Sequence, residues 1–135
     1  MIELPYKNKM FSLFFTINES TISIICEPKD KEEQVFSDFT YSLELNYEEL
    51  KSKGKKSFYI CENIKEIFRY LKELLNNKKA SLKSSNNDNN SIILVVDVPL
   101  ILDKFESIEL NCNKKIKDKD KHIEELKNYI RNRKI

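Results

Sequence analysis

One histidine, three cysteines and one glycine leave this chain few ways to do covalent chemistry. His122 stands among lysines near the start of a helical pattern, where a solvated imidazole explains it without a base or ligand role. Cys26, Cys61 and Cys112 are widely spaced and form no CxxC pair or Cys/His cluster of metal-ligand spacing. Each sits among apolar residues as a small hydrophobe would. A single glycine rules out the phosphate-cradling GxxxxGK[ST], the dinucleotide-binding GxGxxG and the nucleophile-elbow GxSxG. Carboxylate pairs such as Glu48-Glu49 and Glu124-Glu125 fall on helical patterns, where capping, dipole matching and solvation account for them. These residues point away from an enzyme and imply no cofactor and no metal.

Three other groups could bind macromolecules. Lys53, Lys55 and Lys56, with Lys51, flank Gly54 and precede Phe58 and Tyr59, an arrangement able to contact phosphates beside stacking rings. A solvated lysine turn whose neighbouring aromatics belong to a core strand explains them equally simply and is the preferred reading, so nucleic acid is not the expected partner. Pro99, Leu100, Ile101 and Leu102 fall where strands must connect and turn chemistry favours Asn, Gly or Asp. They either extend a strand into the core or form an apolar knob for a protein contact. Ile116, Ile123 and Ile130 are spaced by one heptad, Leu126 fills a d position, and Lys119 and Arg133 take the other two. Isoleucine at a with leucine at d favours parallel two-stranded coiled coils, and a terminal helix docked on its own domain is the alternative.

The elements that must position these groups follow from length and periodicity. At 135 residues the chain is expected to be one domain able to bury a real core. Charged residues at 34% and hydrophobic ones at 40% fit a soluble globular protein with no membrane segment, and unpaired cysteines fit a reducing, cytoplasmic setting. Residues 1–50 carry four Lys/Arg against ten Asp/Glu, and residues 51–90 carry ten against four. This asymmetry suits charge complementarity within the fold or across an interface.

Phe11, Leu13, Phe15 and Ile17 alternate with Ser12, Phe14, Thr16 and Asn18, and Ile22, Ile24 and Cys26 repeat the pattern after a turn at Asn18 to Ser20, which predicts a hairpin. A charged loop from Glu27 to Gln34 should lead to a strand with Phe39, Tyr41, Leu43 and Leu45 on one face, and Met1 to Tyr6 to a short edge strand. Asn46 with Glu49 and Asn63 with Glu66 fit capping boxes. The first opens a short helix ending at Gly54; the second opens a core-facing helix through Ile64, Ile67, Phe68, Leu71, Leu74 and Leu75. A weak strand near Leu82, a turn over 84–90, a covered strand at Ile92 to Val98 and a last strand at Phe105 to Cys112 complete the expected head, residues 1–113, with its helix–turn–helix at about 46–77. Residues 114–135 form the heptad helix. The fold class is therefore α+β: an antiparallel sandwich or barrel-like head with an inserted helix–turn–helix and a C-terminal stem.

This order resembles the head of the superfamily that contains the centriolar cartwheel protein (spindle assembly abnormal protein six) and the scaffold protein of non-homologous DNA end joining. Tyr41 to Lys51 is similar to the cartwheel family's strand into an acidic helix, Ser57 to Leu75 to its short strand and apolar helix, and Phe105 to Leu110 with Lys117 to Ile123 to its last strand, acidic turn and stem. The resemblance implies a structural scaffold that dimerises through Ile116, Ile123, Leu126 and Ile130 and joins heads through Leu102 or its neighbours. It also implies a centriole, basal-body or other cytoskeletal location, with partners that are copies of itself or other coiled-coil proteins. Where that family usually has an aromatic residue before the lysine, this sequence has Leu102 before Asp103-Lys104. The second reading is a DNA-repair-like adaptor using the basic region 51–83.

Overall fold

Leu13 faces Cys26, Ile24 faces Leu43 and Leu94 faces Leu110 across neighbouring antiparallel strands, and this register gathers the apolar half of each alternation onto one side of a sheet. The computed structural model describes residues 2–85 and 90–133, the last by its backbone. Among them the strands are β1 (Ile2–Tyr6), β2 (Lys9–Ile17), β3 (Thr21–Pro28), β4 (Phe39–Asn46), β5 (Ala80–Ser84), β6 (Ser91–Pro99) and β7 (Phe105–Ile116). The helices are α1 (Lys31–Phe36), α2 (Tyr47–Lys53), α3 (Ile64–Asn76) and α4 (Lys119–Arg133). The sheet order is β1-β2-β3-β4-β7-β6-β5. Its two ends approach each other, with the Tyr6 and Ser84 hydroxyls 3.1 Å apart, so the sheet is a nearly closed barrel. The molecule is thus α+β, with α2 and α3 inserted between β4 and β5 and a helix at the C-terminal side.

α3 lays Ile64, Ile67, Leu71, Leu74 and Leu75 against the concave side of β2, β3 and β6. Phe68 stacks on Phe15 with ring centroids 5.1 Å apart. Each fully buried leucine contributes roughly 2 kcal/mol of transfer free energy, so this face and not helix propensity holds α3 in place. The first expected capping box is complete and the second is half formed, because Glu66 Oε1 accepts from Glu62 N and not from Asn63 N. Asn46 Oδ1 accepts from Glu49 N at 2.8 Å while Glu49 returns to Asn46 N, and Asn63 Oδ1 accepts from Glu66 N at 3.0 Å. Asn18 Oδ1 accepts from the backbone N–H groups of Ser20 and Thr21, which makes the β2–β3 turn.

Four expectations are corrected. The charged loop ends in α1, capped by Asp30 Oδ1 accepting from Glu33 N and anchored by buried Val35. Phe58 lies in a turn, not a strand, and is buried while Tyr59 is exposed. β6 buries Ile92, Leu94, Val96 and Val98 completely but only half covers Ile93 and Val95, because one face of the sheet carries no helical layer there. Ile116, expected at the first a position of the stem helix, ends β7 opposite Phe39. The turn over 84–90 lies mostly outside the described residues.

Gly54 does end α2, at φ −119°, so no left-handed backbone demands it. Space does. A Cβ there would stand 2.6 Å from Phe58 and 2.9 Å from Ile108, both buried.

Candidate interaction surfaces

The β6–β7 connection is a tight turn built from residues that ordinarily avoid one. Pro99 pairs with Phe105, Leu100 N donates to Lys104 O at 2.7 Å, and Lys104 N donates back to Ile101 O at 3.4 Å. Between them Leu102 and Asp103 take φ of 59° and 57°, the geometry of a type I′ turn. Asparagine and glycine adopt it freely; a leucine there costs about 1–2 kcal/mol. The side chains of Ile101 and Leu102 are 85% exposed, and Phe105 beside them is exposed too, whereas Leu100 turns half inward. Pro99 ends β6, and Leu100, Ile101 and Leu102 beyond it therefore do not extend the strand into the core. At the foot of the tip a depression of about 550 Å³ is lined by Lys78, Lys79, Pro99, Leu100 and Phe105.

The tip is braced from below. Glu106 accepts from the backbone N–H of Lys56 at 3.4 Å and of Ser57 at 2.9 Å, and from the Ser57 hydroxyl. Burial pushes the Glu106 carboxyl up, but these hydrogen bonds outweigh it and hold it below the usual carboxylate range. The basic residues are thereby placed on a turn tied to β7. Lys51 Nζ donates to Tyr59 O at 3.3 Å, and Lys53, Lys55 and Lys56 are exposed.

α4 leaves β7 through a joint of specific contacts. Lys117 N donates to Asp38 O at 2.8 Å and Lys117 Nζ to Gln34 O at 2.6 Å. Asp118 Oδ1 then accepts from the N–H groups of Asp120 and Lys121, starting the helix. His122 Nε2 donates to Val35 O at 2.8 Å, and Tyr129 meets Phe36 edge to face at 5.6 Å. His122 is therefore a structural donor to α1. Glu27, beside Lys117 and Glu125, is pushed up by burial, an effect the Lys117 ammonium offsets in part. Along α4 Leu126 is half-buried, while Ile123 and Ile130 are 40% and 50% exposed. The stem candidates thus separate: three lie on α4, and Ile116 is exposed at the end of β7.

Sequence reasoning passed over Phe36 and Phe105. Only the exposure of Phe36 beside α4, and of Phe105 beside the tip, brings them in. Cys26 and Cys112 are fully buried, and burial pushes both thiols up to about 12, so neither supplies a thiolate nucleophile. Among the described residues no group of three or more His, Cys, Asp or Glu could hold a metal ion, and no helix is long and apolar enough to cross a membrane.

No family model matches the chain, and no curated protein sequence matches it. Among solved structures, the crystal structure of the head domain of human CCDC61 is similar to it with a TM-score of 0.63 at 8% identity, covering 87% of this chain and 96% of that one. At that identity the similarity is one of fold: this chain folds as a head domain of that architecture followed by a helix.

Proposed function

We propose that this chain is a structural scaffold module that works by binding and not by catalysis, joining copies of itself through α4 and through the β6–β7 tip in a cytoskeletal, centriole or basal-body type of assembly. The observation that carries this reading is Leu102, held at a positive φ and 85% exposed to solvent. A hairpin needing only to turn would place Asn-Gly there. A leucine adds backbone strain and exposed apolar surface, and burial in a partner recovers about 2 kcal/mol of the latter. The exposed isoleucines of α4 and the similarity to a head-domain fold support the same reading. The expected setting is the cytoplasm, with other coiled-coil proteins as further partners.

Light scattering over a concentration series tests it. The wild type should exceed the monomer mass; Ile123→Asp/Ile130→Asp should remove the stem contribution, and Leu102→Glu the head–head contribution. A wild type that stays monomeric throughout sinks the stem, and equal association by Leu102→Glu sinks the tip.

One observation favours a nucleic-acid-associated adaptor as the second reading. Tyr59 is exposed on the same turn as Lys55 and Lys56, just after Lys53 ends α2, which leaves its ring available for stacking. Duplex DNA binding with a steep salt dependence, lost when those three lysines are neutralised, would support it over self-assembly.

A further inference from the structure

We infer that α1 and the first turns of α4 form a latch that orders as one unit: α1 is helical only while α4 caps it, and the closed latch fixes the direction in which α4 leaves the head. The latch acts within one chain, so it stands whether or not α4 pairs with a second copy.

The need for it lies in α1. A six-residue helix does not hold itself together in water, because the few hydrogen bonds it closes do not offset the cost of its first turn. Val35 is its one buried side chain, and the Lys9–Glu33 ion pair that ties it to β2 is exposed and contributes little. Its last four carbonyls lack intrahelical partners. Glu33 O is satisfied by the Ser37 N–H just beyond the helix. Gln34 O and Val35 O accept instead from Lys117 Nζ at 2.6 Å and from His122 Nε2 at 2.8 Å. α1 has no basic residue in its own last turn, so the donors that cap its C-terminal end come from 83 and 87 positions later in the chain.

α4 depends on the same contacts. None of its described side chains is fully buried; His122, Leu126 and Tyr129 are half-buried and stand within about 60° of one another around the helix. Two of these three meet α1, His122 at Val35 O and Tyr129 at the Phe36 ring, and Lys117 adds its backbone N–H to Asp38 O. Between the first turns of α4 and the sheet lies a depression of about 680 Å³, lined by Ile25, Ser42, Lys121, His122 and Glu125. Open space and not packed side chains separates α4 from β3 and β4 there, so release of the latch frees α4 to move. Detaching α4 leaves two α1 carbonyls without their donors, and fraying α1 removes the acceptors that seat Lys117 and His122. The two elements therefore open together, as a local unit less stable than the barrel.

Hydrogen exchange of the full chain tests it. His122→Leu should accelerate exchange at the Gln34 and Ser37 amides by at least about tenfold while β2 and β6 amides keep their protection. His122→Gln, which retains a side-chain N–H donor, should restore wild-type exchange. If His122→Leu loosens the barrel as well, Lys117→Met against Lys117→Arg makes the same comparison at Gln34 O. The direction of α4 is read separately, from spin labels on Ser81→Cys of β5 and Arg131→Cys of α4, both exposed, with labelled chains diluted into unlabelled protein; the native cysteines are buried. The distance between the labels should be single and narrow in the otherwise wild-type chain and with His122→Gln, and broad with His122→Leu. Wild-type exchange at Gln34 and Ser37 in His122→Leu, or equal acceleration by His122→Leu and His122→Gln, overturns the latch. A distance that stays narrow with His122→Leu overturns it equally, and none of these outcomes bears on whether α4 self-associates.

Discussion

Glu106, the second residue of β7, accepts hydrogen bonds from both the backbone N–H and the hydroxyl of Ser57, a residue 49 positions earlier in the chain. The bond joins two connections that the sheet alone would leave independent: the lysine turn after α2 and the hairpin whose tip carries Leu102. Ser57 is buried, so the carboxylate completes a group that would otherwise cost free energy to desolvate.

Glu106→Gln should keep the fold and loosen that joint. The expected loss is about 1 kcal/mol, the low end for a hydrogen-bonded charge because the carboxylate is partly exposed. Hydrogen exchange at Lys56 and Ser57 should accelerate while α3 amides stay protected. Unchanged exchange at both amides would mean that the carboxylate bears none of the tie.

Leu102→Asn with Asp103→Gly should stabilise the isolated head by about 1 kcal/mol, since Asn-Gly adopts the observed turn without the cost a leucine carries. Self-association through the tip should fall at the same time. Urea denaturation at low protein concentration reads the first effect, and a loss of stability there would contradict the strain assigned to Leu102.

Gly54→Ala should destabilise by about 1–3 kcal/mol, because the added methyl meets the buried Phe58 ring and Ile108 at less than 3 Å, where nothing flexible can yield. A thermal melt decides it; a neutral result would require the Phe58 turn to move at no cost.

Stability should fall steeply above pH 9. Cys26 and Cys112 hold their protons to about 12 when folded, against an ordinary value of 9.0. For an acid whose folded pKa is raised, the unfolded chain releases the proton first, so the contribution is complete below pH 9 and is lost as pH climbs toward 12. Each thiol adds up to about 1.4 kcal/mol of loss per pH unit in that window. Comparing urea midpoints at about pH 8 and about pH 10 for wild type and Cys26→Ala/Cys112→Ala checks it, the variant showing the shallower fall.

How far the sequence could be read depends on where each feature's cause lies. The β2–β3 hairpin, the concave face of β4, the Asn46 capping box, the Asn63 N-cap and the buried stripe of α3 were legible because side-chain direction within a strand or helix follows from adjacent residues alone. α1 was not, since six residues with four charged or amide side chains carry no period, and the helix forms because Val35 finds a buried site. Ile116 fitted a heptad by spacing, yet pairing with Phe39, 77 positions earlier, continued β7 through it.

Composition and periodicity alone determined the α+β class, the apolar half of each strand and the absence of the glycine motifs on which common enzyme classes depend. Only tertiary structure decided that Pro99 pairs with Phe105 and so turns Leu102 outward, and that α1 claims one face of α4 while leaving Ile123 and Ile130 exposed. The physical reason is that local geometry fixes which way a side chain points along its own element. Whether that direction meets solvent or a neighbour is set by residues distant in sequence.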